Sequence, residues 1–323
     1  MQSKRWQVLG VTALCALATT TGCGSGDAGS GGGEGGEGVT TLRVASNGNT
    51  SALPLWVAIE ENLCEPHGLD IEFTRIDNVG TLPPALGTTF DVIFTTPVQA
   101  ISAAAQGIPV TEIAGSSLDT AENANSYLMV GEGSPIDGVE DMEGATIGVL
   151  TEVGTLHYAT LLLLKQAGVD PSSVEIVQID GPAMADQLAA GRVDAVEAVR
   201  PFNKSVEAAG GTNIDTPFSS LADDISVIWW GANRPWAEEN PDTVQAYQDC
   251  LEDGIQYIAD NEAEARTVMQ EYTDLPAEVA ENFELPAYDA SVRPQDIEKW
   301  LGAMRELELF NGDVDPEQLA FQP

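Results

Sequence analysis

Basic residues are scarce in this chain: 13 lysines and arginines stand against 51 aspartates and glutamates over 323 residues, a formal charge of −38. Such a chain repels polyanions, which excludes nucleic acid as a partner. Imidazoles are scarcer still. His67 and His157 are the only two, and neither lies in the C-x-x-C or Cys/His neighbourhood that a zinc site needs, so no metal is expected. Catalytic signatures are missing as well, with no G-x-S-x-G, P-loop or H-E-x-x-H. The Gly31 to Gly38 cluster precedes the first expected strand and reads as linker, not as a dinucleotide fingerprint. Neither an enzyme nor a cofactor is therefore expected. Long apolar runs are also absent: Val8 to Ala18 is about eleven residues, too short for a hydrocarbon core of ~30 Å, and nothing after it is long and apolar enough to span.

What is present begins with an export address. Lys4 and Arg5 precede the apolar run, which ends in small residues, so residues 1–22 read as a signal peptide. The Gly22-Cys23 junction followed by Gly24-Ser25-Gly26-Asp27 resembles a bacterial lipoprotein signal, which makes Cys23 the lipid-bearing anchor and places the protein on the extracytoplasmic face of the membrane. Thr20 departs from the leucine usual in that signal, and Ala16-Leu17-Ala18 offers an earlier cut. Residues 23–39 are a flexible glycine-rich linker. Without the signal, eleven basic residues remain against 51 acidic ones; the imbalance favours solubility, and any basic side chain in a pocket becomes informative. Cys64 and Cys250 lie in the body, where an oxidising exterior permits one disulfide and burial permits two free thiols.

Beyond the linker, apolar strands and helical segments alternate, which points to α/β architecture with parallel sheets. Strands are expected at 42–45, 68–73, 91–94 and 110–114, with helices at 54–62, 82–86 and 97–106 between them. A second series follows, with strands at 126–130, 145–150, 174–179 and 195–199 and helices at 155–167 and 182–190. A strand from Ile225 carrying Trp229 and Trp230 then leads into a helical tail, near 242–259, 262–272 and 294–307.

Three blocks in this order carry a family likeness: Gly68-Leu69-Asp70-Ile71 with Phe90-Asp91-Val92, then Asp141 to Val149, then Ala189 to Ala195. Together with Val292-Arg293-Pro294 near the end, they resemble solute receptors of the sulfonate, taurine and thiamine-pyrimidine group. The resemblance implies a type II periplasmic-binding-protein-like fold, with lobe one from 40–125 plus 228–323, lobe two from 126–227, two crossovers and a ligand cleft between. It also implies the permease and ATPase subunits of an ABC importer as partners, a membrane link through the lipid anchor only, and a monomer. Pyrimidine synthases share the fold and are the enzymatic alternative.

In open α/β sheets ligands bind beyond the carboxyl ends of the strands, where helix N-termini converge. That rule selects Asn47, Asn49 and Thr50 after the first strand, Thr95 and Thr96 after the third, and Ser116 and Ser117 after the fourth. In the second series it selects Glu152, Gly154 and Thr155 at a helix start, with Glu197 and Arg200 near a strand end. Each hydroxyl or amide has an alternative role as a helix cap, and Glu152 as a solvated loop carboxylate. His157 is expected to be a structural hydrogen-bonder. Trp229 and Trp230 alternate in direction, one toward the core and one able to wall the cleft. Receptors of this kind commonly carry glutamate before the proline of Val199-Arg200-Pro201, so Arg200 points away from a cationic or neutral heterocycle such as a thiamine-pyrimidine precursor. It favours a small organic anion or zwitterion, with Glu197 as its competing partner.

Overall fold

A computed structural model describes residues 38–323, so the expected signal, Cys23 and most of the linker lie outside the described residues. The strands, in chain order, are β1 (Thr40–Ser46), β2 (Leu69–Arg75), β3 (Val92–Thr95), β4 (Val110–Thr120), β5 (Ser126–Val130), β6 (Thr146–Val149), β7 (Glu175–Gln178), β8 (Ala195–Val199), β9 (Thr212–Asp215), β10 (Asp224–Asn233) and β11 (Ala287–Tyr288). They form a six-stranded sheet ordered β11-β4-β10-β3-β1-β2 and a five-stranded sheet ordered β7-β6-β8-β5-β9. The chain passes from the first sheet to the second after β4 and returns at β10, which runs antiparallel between β3 and β4.

Helices α1 (Leu53–Glu60), α2 (Pro97–Ala105), α3 (Thr155–Gln166), α4 (Met184–Ala189) and α5 (Phe202–Ala208) fill the crossovers. The tail supplies α6 (Arg234–Glu239), α7 (Pro241–Asp260), α8 (Glu262–Tyr272), α9 (Ala277–Glu281), α10 (Pro294–Glu306) and α11 (Pro316–Leu319). Local chemistry sets several starts. Pro54 sits in the first turn of α1, where its missing N–H costs nothing. Thr96 caps α2 by accepting the Gln99 N–H at 3.3 Å. Two expected segments differ. The 82–86 helix is two 3₁₀ turns, Val79–Thr81 and Pro83–Ala85, because consecutive prolines remove the donors an α-helix needs. The fourth strand runs six residues past its expected end, because β10 and β11 pair with it on either side.

The first sheet holds one large core in which Trp56, Trp229, Trp230, Trp300 and Tyr247 are all fully buried. The Trp230 ring meets Phe94 and Tyr247 edge-on. Helix α7 crosses α1 at Gly254, where a Cβ would stand 2.2 Å from the Pro54 carbonyl oxygen, and Cys64 is disulfide-bonded to Cys250 of α7 beside that crossing. The second sheet has thinner cores, an aliphatic one around Leu128 and Ile147 and another around Met129 and Val196. Helix α3 joins the two bodies: Tyr158 and Ala159 pack into the first core, Leu163 and Leu164 into the second.

Candidate functional site

A cavity of about 1040 Å³ opens between the two sheets, where strand ends and loops from both converge. From the first sheet come Asn47 and Asn49, which follow β1, and Arg75 and Asp77 at the end of β2; the α8–α9 connection adds Asp274. From the second come Arg200, Phe202 and Lys204, which follow β8. Glu284, between α9 and β11, closes one side.

Three basic and three acidic side chains line this cavity in an otherwise strongly acidic chain. Arg75, Arg200 and Lys204 face Asp77, Asp274 and Glu284. Arg75 pairs with Asp274, and Lys204 lies 3.1 Å from Glu207 outside the cavity. The Arg200 side chain is only 4% exposed; its Nη2 is 3.2 Å from Glu284 Oε1, its Nη1 donates to the Glu284 carbonyl at 3.3 Å, and its buried Nε has no partner. Glu197, expected as the competing partner, instead meets His157 Nδ1 at 2.8 Å, and both are buried. Near Arg200, Asp119 lies at the end of β4, where the chain crosses between sheets. Burial pushes its carboxyl up to about 6, against hydrogen bonds from Asn125 and Ser126 and the positive charge of Arg200.

Of the residues selected from the sequence, Asn47, Asn49 and Arg200 line the cavity; the others do not. Thr50 offers its carbonyl to the Tyr288 hydroxyl at 3.1 Å. Thr95 is buried, and Thr96 serves as a cap. Ser116 and Ser117 lie inside the lengthened β4, donating to the Ser51 carbonyl at 2.6 Å and the Ser51 hydroxyl at 2.9 Å. Glu152 is exposed, Gly154 is the N-cap of α3, and the Thr155 hydroxyl is buried without a partner. Neither Trp229 nor Trp230 walls the cleft: β10 is an interior strand covered on both faces, so alternation sends one ring into each half of the core. Phe202 takes the place expected of them.

Arg75, Asp77, Lys204 and Glu284 were not selected from the sequence. The strand-end rule, extended to β2, reaches Arg75 and Asp77, and Lys204 follows Arg200 by four positions. Nothing in the sequence signals Glu284, which arrives from the tail.

The profile of the NMT1/THI5-like family matches residues 49–265. The taurine-binding periplasmic protein of Escherichia coli K12 is 27% identical over 216 residues, 65% of this chain and 65% of that protein, so the match spans less than two thirds of that relative. The periplasmic aliphatic sulphonate-binding protein of Escherichia coli has a similar structure, with a TM-score of 0.75 at 18% identity over 88% of this chain and 92% of that one. The alkanesulfonate-binding protein of Xanthomonas axonopodis pv. citri, solved with MOPS, gives 0.69 at 16% identity over 88% and 98%. These likenesses establish a periplasmic-binding-protein-like fold.

Proposed function

This chain belongs to the NMT1/THI5-like family, and we propose that it is an extracytoplasmic solute receptor that binds a small organic anion or zwitterion and delivers it to an ABC importer. The observation that carries this reading is the placement of Arg75, Arg200 and Lys204 around one cavity in a protein of net charge −38. Random placement would surround such a cavity with carboxylates. The Arg200 fork matches a carboxylate or sulfonate head, and Phe202, Leu275 and Val279 supply apolar surface for the ligand's body. Distant surface carboxylates do not veto an anion, because salt screens them over ~8–10 Å while the guanidinium acts at contact. Delivery implies permease and ATPase subunits as partners, and the lipoprotein-like signal implies anchorage through Cys23, with the folded body a monomer on a glycine-rich leash.

The test is a calorimetric and thermal-shift panel of sulfonates, carboxylates and amino-sulfonates on the mature protein. A true ligand at a hundred times its Kd adds about 2.7 kcal/mol of stability. Arg200→Ala should then cost about 2–5 kcal/mol of binding to that ligand. Full affinity in the variant, or binding only to neutral or cationic heterocycles, eliminates the assignment.

A further inference from the structure

We propose that Glu284 is the specificity-determining residue of the cavity: its carboxylate holds the place of a ligand's acid group on Arg200 until an acidic ligand displaces it. The inference rests on the reading of this cavity as the ligand site. Arg200 follows β8 of the second sheet, whereas Glu284 precedes β11 of the first, so their pair spans the cavity from one body to the other.

The two partners are unequal. The Arg200 side chain is 4% exposed and that of Glu284 55%, so the glutamate is the one free to leave. The contacts are also loose: 3.2 Å through one carboxylate oxygen and 3.3 Å to the backbone, where charge-assisted hydrogen bonds typically measure about 2.7–2.9 Å. Meanwhile the buried Nε donates to nothing. A guanidinium binds anions best through two parallel N–H donors. An acid group with two or three oxygens can engage Nε and Nη2 together, which Glu284 does not. Exchange is therefore favourable for an acidic ligand, and its apparent affinity is lowered by the fraction of protein in which Glu284 is still seated. A neutral ligand carries no acid group with which to replace the glutamate on Arg200, and a cationic one that drew Glu284 away would leave the Arg200 guanidinium without an anion.

The experiment titrates ethanesulfonate and taurine into wild-type protein, Glu284→Gln and Glu284→Ala by calorimetry. Both probes should bind both variants about three- to tenfold more tightly than wild type, the range expected on removing a half-exposed ionic competitor. Unchanged affinities overturn the proposal. So does a loss confined to taurine, which would make Glu284 the partner of the ligand's ammonium group. If wild type binds neither probe nor any other acid in the panel, the ligand-site reading itself fails. The Arg200–Glu284 pair is then judged by a double-mutant cycle of Arg200→Gln and Glu284→Gln in urea unfolding without ligand. A coupling of zero overturns the pair, and a favourable coupling upholds it.

Discussion

The two sheets come from the same strand-and-helix alternation, yet they are held together differently. Around the six-stranded sheet, tryptophans from α1, β10 and α10 are fully buried in one continuous core, and a disulfide ties Cys64, just after α1, to α7. The five-stranded sheet has no tryptophan; its aliphatic side chains form two thin clusters. Aromatic rings remove more apolar surface from water per residue than aliphatic chains. The first body therefore carries more of the stability, and the second presents Arg200 from a lighter frame.

The sharpest way to break this contrast is to open the bridge. Cys64 and Cys250 are 186 residues apart, and in the chain-entropy view closing so long a loop contributes up to roughly 5 kcal/mol. A Cys64→Ala/Cys250→Ala double variant should show a correspondingly lower urea midpoint, and reductant should lower wild type to match. Identical midpoints with and without reductant would mean that the bridge does not hold the first body. Next in size, Trp230→Ala removes a fully buried ring between Phe94 and Tyr247 and should cost about 3–5 kcal/mol in denaturant unfolding. A cost below that of Leu128→Ala in the second core would reverse the ranking of the two bodies.

Asp119, at the crossover between the bodies, gives a smaller and pH-dependent effect. Burial lifts its carboxyl to about 6 from an ordinary 3.8, so the folded protein holds this proton more tightly than the unfolded chain. Its contribution to stability is fully present below about 4 and is lost as pH rises through about 6. Asp119→Asn should therefore gain stability relative to wild type between pH 4 and 7, read from a pH series of urea unfolding. Parallel curves for the two proteins would sink this assignment. The smallest effect is expected at Glu152, an exposed loop carboxylate outside the cavity. Glu152→Gln should change stability by less than about 0.5 kcal/mol and leave probe binding unaltered. A binding defect there would bring the second body's α3 loop back into the site.

Much of the framework was legible in the sequence because apolar runs bounded by turn residues mark strands directly. β5 and β8 begin and end at the expected residues, 126–130 and 195–199. β4 was cut short because Gly115 to Thr120 has the composition of a turn; β10 and β11, which hold it extended, arrive more than a hundred residues later. The same distance effect governs the site. Asn47, Asn49 and Arg200 follow strand ends and line the cavity, whereas the hydroxyls of Ser116 and Ser117 are taken up by Ser51. The type of residue at a strand end thus narrows the candidates, and what already occupies its hydrogen bonds selects among them.

By itself the sequence determined the class of this protein: the α/β alternation and the extreme acidity are properties of composition and local order. Tertiary structure alone decided where charge and aromatic surface ended up. Trp229 and Trp230 went to the core because β10 became an interior strand, and Glu197 turned to His157 instead of Arg200. Glu284, from the far end of the chain, then became the partner of Arg200. Ionic pairing acts over a few ångströms of space, and no local pattern encodes which carboxylate, among dozens, folding will bring within that distance.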